Sequence, residues 1–148
     1  MRFRRLSVLV VAVGSIVACT RPSQIAEKPV TAASPEARIQ QIPPADPQKY
    51  AANHDTKTWR NPYLIVKKDG IWLLDAENSE ERLLKPDRLL DELAALPASA
   101  WPYGRVVAVQ EIGITGSDQD KIALRKNRAI LAGTLESAKV LINWLPAA

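Results

Sequence analysis

The side chains that most often do chemistry are scarce in this chain. Its 148 residues include one histidine, His54, and one cysteine, Cys19. Structural zinc sites draw their ligands mainly from those two residue types, and a nucleophilic triad needs a histidine near its serine or cysteine. His54 lies in a proline-rich stretch and Cys19 near the start, so neither constellation can form in the C-terminal region. Gly113, Gly116 and Gly133 match no phosphate-cradling template, which requires a following Lys and Ser or Thr. Carboxylates remain. Asp87, Asp91 and Glu92 share one expected helix, and Asp118 and Asp120 open another. Paired carboxylates can hydrolyse a bond by general acid–base catalysis, but only inside a cleft. Beside a leucine stripe they more simply form a solvated face, and Asp118 and Asp120 more simply cap a helix. The expectation is a non-enzymatic protein with no catalytic residue, cofactor or metal. A small carboxylate-dependent hydrolase is the alternative.

Two further sets suit binding. Lys121, Arg125 and Arg128 recur at i, i+4 and i+7, with Lys126 beside them, which puts three cations on one helical stripe. Such a stripe can face anionic lipid, peptidoglycan or an acidic protein. The simpler reading is a solvated outer face, since Asp118, Asp120 and Glu136 dilute it. The second set is aromatic: Trp59, Tyr63, Trp72, Trp101, Tyr103 and Trp144. The only Phe and Met are Phe3 and Met1, so Trp72 and Trp144 are expected to fill the core. The run Trp101-Pro102-Tyr103-Gly104-Arg105 stands apart. Trp, Tyr and Arg are enriched at binding hot spots, and Pro and Gly fix their display. It reads either as a surface recognition loop or as a buried loop anchor. The partner-binding candidates are therefore Trp101, Tyr103, Arg105, Lys121, Arg125 and Arg128.

Cys19 has a different chemistry in prospect. Arg2, Arg4 and Arg5 precede an apolar run from Leu6 to Ala18, broken only by Gly14 and Ser15. Thirteen residues are too few to span a bilayer core of roughly 30 Å but suit a signal peptide. The run ends in Ile16-Val17-Ala18-Cys19, which resembles the lipobox of bacterial lipoproteins. That resemblance implies a diacylglyceryl group on the Cys19 sulfur, cleavage between Ala18 and Cys19, and acylation, as by palmitate, of the new amino group. Several acyl chains exceed the two-signal threshold for stable anchoring. Thr20 follows the cysteine, where Asp would resemble an inner-membrane retention signal. The implied location is the outer membrane, facing the periplasm.

Charge and composition divide along the same line. The formal charge is +4, but residues 1–18 carry three arginines and no acid, leaving 17 basic and 16 acidic residues in the remainder. That balance gives no reason to expect a nucleic-acid partner. Residues 19–58 hold six of the eleven prolines and no sustained apolar period, and read as a flexible tether with a reach of roughly 35 Å and room for a short helix near Pro35–Gln41. Residues 59–148 read as the globular domain. Without an internal disulfide it must hold together by burial.

Within that domain, Tyr63–Val66 and Ile71–Leu74 flank an Asp69-Gly70 turn, a strong hairpin signal. Residues 81–84 read as a third strand or a helix lead-in. Pro86 and Asp87 suit a helix start, followed by a Leu89, Leu90, Leu93, Leu96 stripe that Pro97 ends. Residues 105–114 are the best buried-strand candidate, with Gly113 as a bulge. Ser117 to Asp120 has the form of a capping box before a long helix to about Ala138, and 140–145 reads as a closing strand. The order β-β-(β)-α-β-α-β predicts an α+β two-layer sandwich, with both helices on one face of a mixed sheet.

Over about residues 62–146 this order resembles the periplasmic domain of the ExbD/TolR family, as does the phrase Pro102-Tyr103-Gly104-Arg105-Val106-Val107. In the family that phrase opens a helix; here it leads into a strand. The family also has a transmembrane helix where this chain has a signal, so no proton-channel role and no functional residue carries over. The resemblance implies a small periplasmic module that binds an envelope protein or peptidoglycan and can form a homodimer through a strand edge. A structural, self-associating lipoprotein is a further alternative.

Overall fold

In the computed structural model, residues 33–53, 57–75 and 79–146 are described. The expected signal peptide, its cleavage site at Ala18, Cys19 and His54 lie outside them. Strands β1 (Tyr63–Lys67) and β2 (Gly70–Leu74) form the expected hairpin, with Lys67 opposite Gly70 across the loop Lys68-Asp69. Residues 81–84 are a strand, β3, antiparallel to β2. A single 3-10 turn at Pro86–Arg88 leads into the helix Leu89–Ala94. Strand β4 is Val106–Glu111 and β5 is Leu141–Trp144, with the twenty-residue helix Asp118–Ser137 between them.

The sheet order is β3-β2-β1-β4-β5, with β1, β4 and β5 parallel and the rest antiparallel. This is the expected α+β fold on a mixed sheet. Alternation along the strands sorts two cores. Leu64, Val66, Ile71, Leu73, Val107 and Val109 face the helices, where they meet Leu89, Leu93, Leu124, Leu131 and Leu135. Tyr63, Ile65, Val106, Ala108 and Leu145 face the other way. Val106 to Val109 are buried without exception, because both faces of β4 are covered.

What covers the second face corrects the expected domain boundary. The described chain belongs to the compact unit from residue 33 onward, not only from Trp59. Two short helices, α1 (Pro35–Gln40) and α2 (Pro47–Tyr50), precede the sheet; the helices named above are α3 and α4. Ser34 caps α1 and Asp46 caps α2, each with Pro at the first turn. Ile39 of α1 is wholly buried in the helix-side core, and Ala45 and Tyr50 pack on the opposite core. Residues 33–53 thus form a strap around the domain rather than part of a free tether. Between the helices the strap is held by backbone bonds: Arg105 N–H donates to the Pro43 carbonyl (2.9 Å), and Asp46 N–H to that of Tyr103 (2.9 Å).

Candidate functional site

The Trp101–Arg105 loop is the partner of that strap. Trp101 is 4% exposed and sits in the helix-side core. Tyr103 packs edge-on against Trp59 (centroids 5.2 Å apart) and beside Tyr50 (6.3 Å). Arg105 donates through Nη1 to the Gln40 side-chain oxygen, and Gln40 in turn donates to the Ala138 carbonyl (2.6 Å). Gly104 has φ +79, and a Cβ there would overlap the Pro44 carbonyl oxygen. Of the two readings open from sequence, this is the buried anchor. Trp101 is buried in the core rather than displayed, and Tyr103 and Arg105, both half-buried, hold the chain's own strap. Asn61, which sequence reading did not single out, completes the knot: Nδ2 donates to the carbonyls of Gly104 and Val106 (2.7 Å each), and Oδ1 accepts from the Tyr103 N–H (2.8 Å).

The other three candidates converge. Lys121, Arg125 and Arg128 line a single pocket of about 390 Å³ with Glu111, Ile114 and Leu124. It lies where β4 ends and α4 begins. Gly113, with φ +93, turns the chain out of β4, and Gly116 N–H donates to the Gly113 carbonyl (3.1 Å). Ser117 then accepts from the Asp120 N–H through its hydroxyl (3.2 Å), starting α4 with its basic stripe toward the pocket.

The electrostatics differ from cation to cation. Arg128 Nη1 lies 3.0 Å from Oε1 of Glu111, whose side chain is only 15% exposed, while its guanidinium stacks 4.3 Å over the Trp144 ring. Held on two sides, this guanidinium has little freedom left to lose on binding. Lys121 pairs with the fully exposed Asp118 (3.3 Å). Among the described residues, the Arg125 side chain makes no ion pair or hydrogen bond. Asp120, which does not line the pocket, pairs with Lys68 (3.1 Å), and the hydrogen bonds from Lys68 and Ser117 hold its carboxyl below the usual carboxylate range. Asn127 pins the β1–β2 turn to α4 by donating to the Lys67 carbonyl (2.8 Å).

Glu111, Ile114 and Trp144 were not tied to this pocket by sequence. Trp144 in particular was expected to fill the core, but it is 38% exposed on the edge strand, under Arg128. Its signal was its place in strand alternation, which puts it on the helix side of β5 opposite Val109.

A second, wider cleft of about 870 Å³ runs between Arg60–Pro62, the β2–β3 end and the chain after α3. Asp75, Glu80 and Glu81 line it, and Glu81 pairs with Lys67. None of the carboxylates singled out from sequence lines this cleft; Asp91 pairs with Arg38 and Arg88, and Glu92 with Arg82. Among the described residues, the carboxyl groups with a shifted pKa, Asp120 and Glu36, are both shifted downward, the opposite of what a general acid needs. Tyr63 is pushed up to about 12 by burial, which keeps its phenol protonated and hydrogen-bonded to Gln110 (2.8 Å). Among the described residues no cluster of His, Cys, Asp and Glu could hold a metal ion, and no helix is long and apolar enough to cross a membrane. Compared with family models, curated proteins and solved structures, the chain matches none.

Proposed function

We propose that this protein is a lipid-anchored, non-catalytic binding module of the bacterial cell envelope, facing the periplasm from the outer membrane. The observation that carries the binding half is the convergence of Lys121, Arg125 and Arg128 on one pocket, with the Arg125 side chain unpaired among the described residues. An unpaired arginine beside a preformed pocket is a ready site for an anionic group on a protein or cell-wall partner. The anchoring half rests on the Arg2–Arg5 cluster, the short apolar run and Ile16-Val17-Ala18-Cys19. Because the strap packs from residue 33, only residues 20–32 separate the acylated cysteine from the domain. Full extension of that stretch reaches about 45 Å, so the module works close to its membrane.

Two measurements test the two halves. The intact mass of the cellular protein should lack residues 1–18 and carry acyl chains on Cys19; a mass that retains them with a free thiol removes the anchor. Chemical cross-linking in cells should capture a partner with the wild-type chain and lose it with Arg125→Glu. Capture unaffected by that charge reversal removes the pocket as the binding site.

A further inference from the structure

The pocket's charge and walls point to a narrower class of ligand, an inference that rests on the binding role proposed above. Three cations line it, but Glu111 offsets Arg128 and Asp118 offsets Lys121, leaving about one uncompensated positive charge, on Arg125. One charge suits a monoanion; a phosphate near neutral pH carries up to two, and its second would meet the Glu111 carboxylate that lines the pocket. The remaining walls are aliphatic. Ile114 is 43% exposed, high for a large apolar side chain, and Leu124 closes the pocket beside it. At about 390 Å³ the space takes a small group rather than a folded element.

We propose that this pocket binds the free carboxyl end of a peptide bearing a small aliphatic residue. The carboxylate lies against the Arg125 guanidinium, whose planar fork matches it, and the aliphatic side chain lies on Ile114 and Leu124. Arg128, fixed between Glu111 and Trp144, is a positioning residue that forms one wall. Such an end occurs on proteins, built of L-residues, and on wall peptides that end in D-residues.

The test is calorimetric titration of the full acylated chain in zwitterionic micelles. The probes are acetyl-L-alanyl-L-alanine, its D,D isomer, the amide of each, and inorganic phosphate. At least one acid should bind about tenfold or more tightly than its own amide and than phosphate, because the amide lacks the charge-assisted bond. The favoured isomer identifies the source. Arg125→Gln should abolish the preference for acid over amide, Ile114→Ser should weaken both forms alike, and Lys126→Gln, exposed and outside the pocket, should leave binding unchanged. Equal binding of acid and amide, phosphate binding as tight as the acid, no binding at all, or a preference that survives Arg125→Gln would each overturn the proposal. Those results are separable from failure of the binding role itself, which is read from Arg125-dependent capture in cells.

Discussion

Asn61 is a buried polar side chain that holds the loop on which the strap docks. It is 4% exposed, and its amide serves three backbone groups of residues 103–106 at once. Asn61→Ala would leave two buried carbonyls and one N–H without that partner, and should cost about 2–4 kcal/mol of unfolding free energy. Urea denaturation checks this; a loss below about 0.5 kcal/mol would show that water replaces the amide freely. In sequence, Arg60-Asn61-Pro62 reads only as a turn, because the groups Asn61 serves lie more than forty positions away. The tryptophans carry the same lesson. Trp101, in a loop built for display, is buried, and Trp144, expected inside, stands half open beneath Arg128. Residue type fixes what an aromatic ring can do; what lies over it is decided by chain segments distant in sequence.

At the level of elements, the hairpin, the leucine-striped helix, the buried strand and the capped helix were legible because each has a local signal. Examples are Asp69-Gly70 for the turn and Ser117 for the cap. Residues 81–84 were ambiguous in sequence because four residues hold too little period to separate strand from helix. The strap was missed for a related reason. Ile39, Ile42 and Tyr50 are its packing residues, but they are scattered among prolines with no period of 2 or 3.6. Two glycines give opposite tests of this picture. Gly104→Ala forces a side chain into positive φ and against Pro44, so it should loosen the strap and speed amide exchange across residues 35–50. Gly133→Ala, on the exposed side of α4 with open space around it, should stabilise the protein by about 0.5–1 kcal/mol and leave strap exchange unchanged. Unchanged strap exchange in Gly104→Ala would mean that residues 43–46 are not held by the loop.

The domain formed by the described residues is a sheet with two covered faces, a strap that joins the helix-side core to the opposite one, and a cationic pocket at the far end of β4. Of the six residues singled out for binding, Tyr103 and Arg105 hold the strap, Trp101 is buried in the core, and the other three line the pocket. The sequence could not divide them, because both groups combine long cationic or aromatic side chains with polar neighbours. The division is the central claim, and position-resolved photo-cross-linking tests it most directly. A photoreactive residue is placed in the anchored chain in cells either at Ile114, in the pocket, or at Pro102, the exposed tip of the strap loop. The expected result is a partner adduct from position 114 that disappears with Arg125→Glu, and none from position 102. Adducts from 102 alone, or adducts from 114 indifferent to Arg125→Glu, would contradict it.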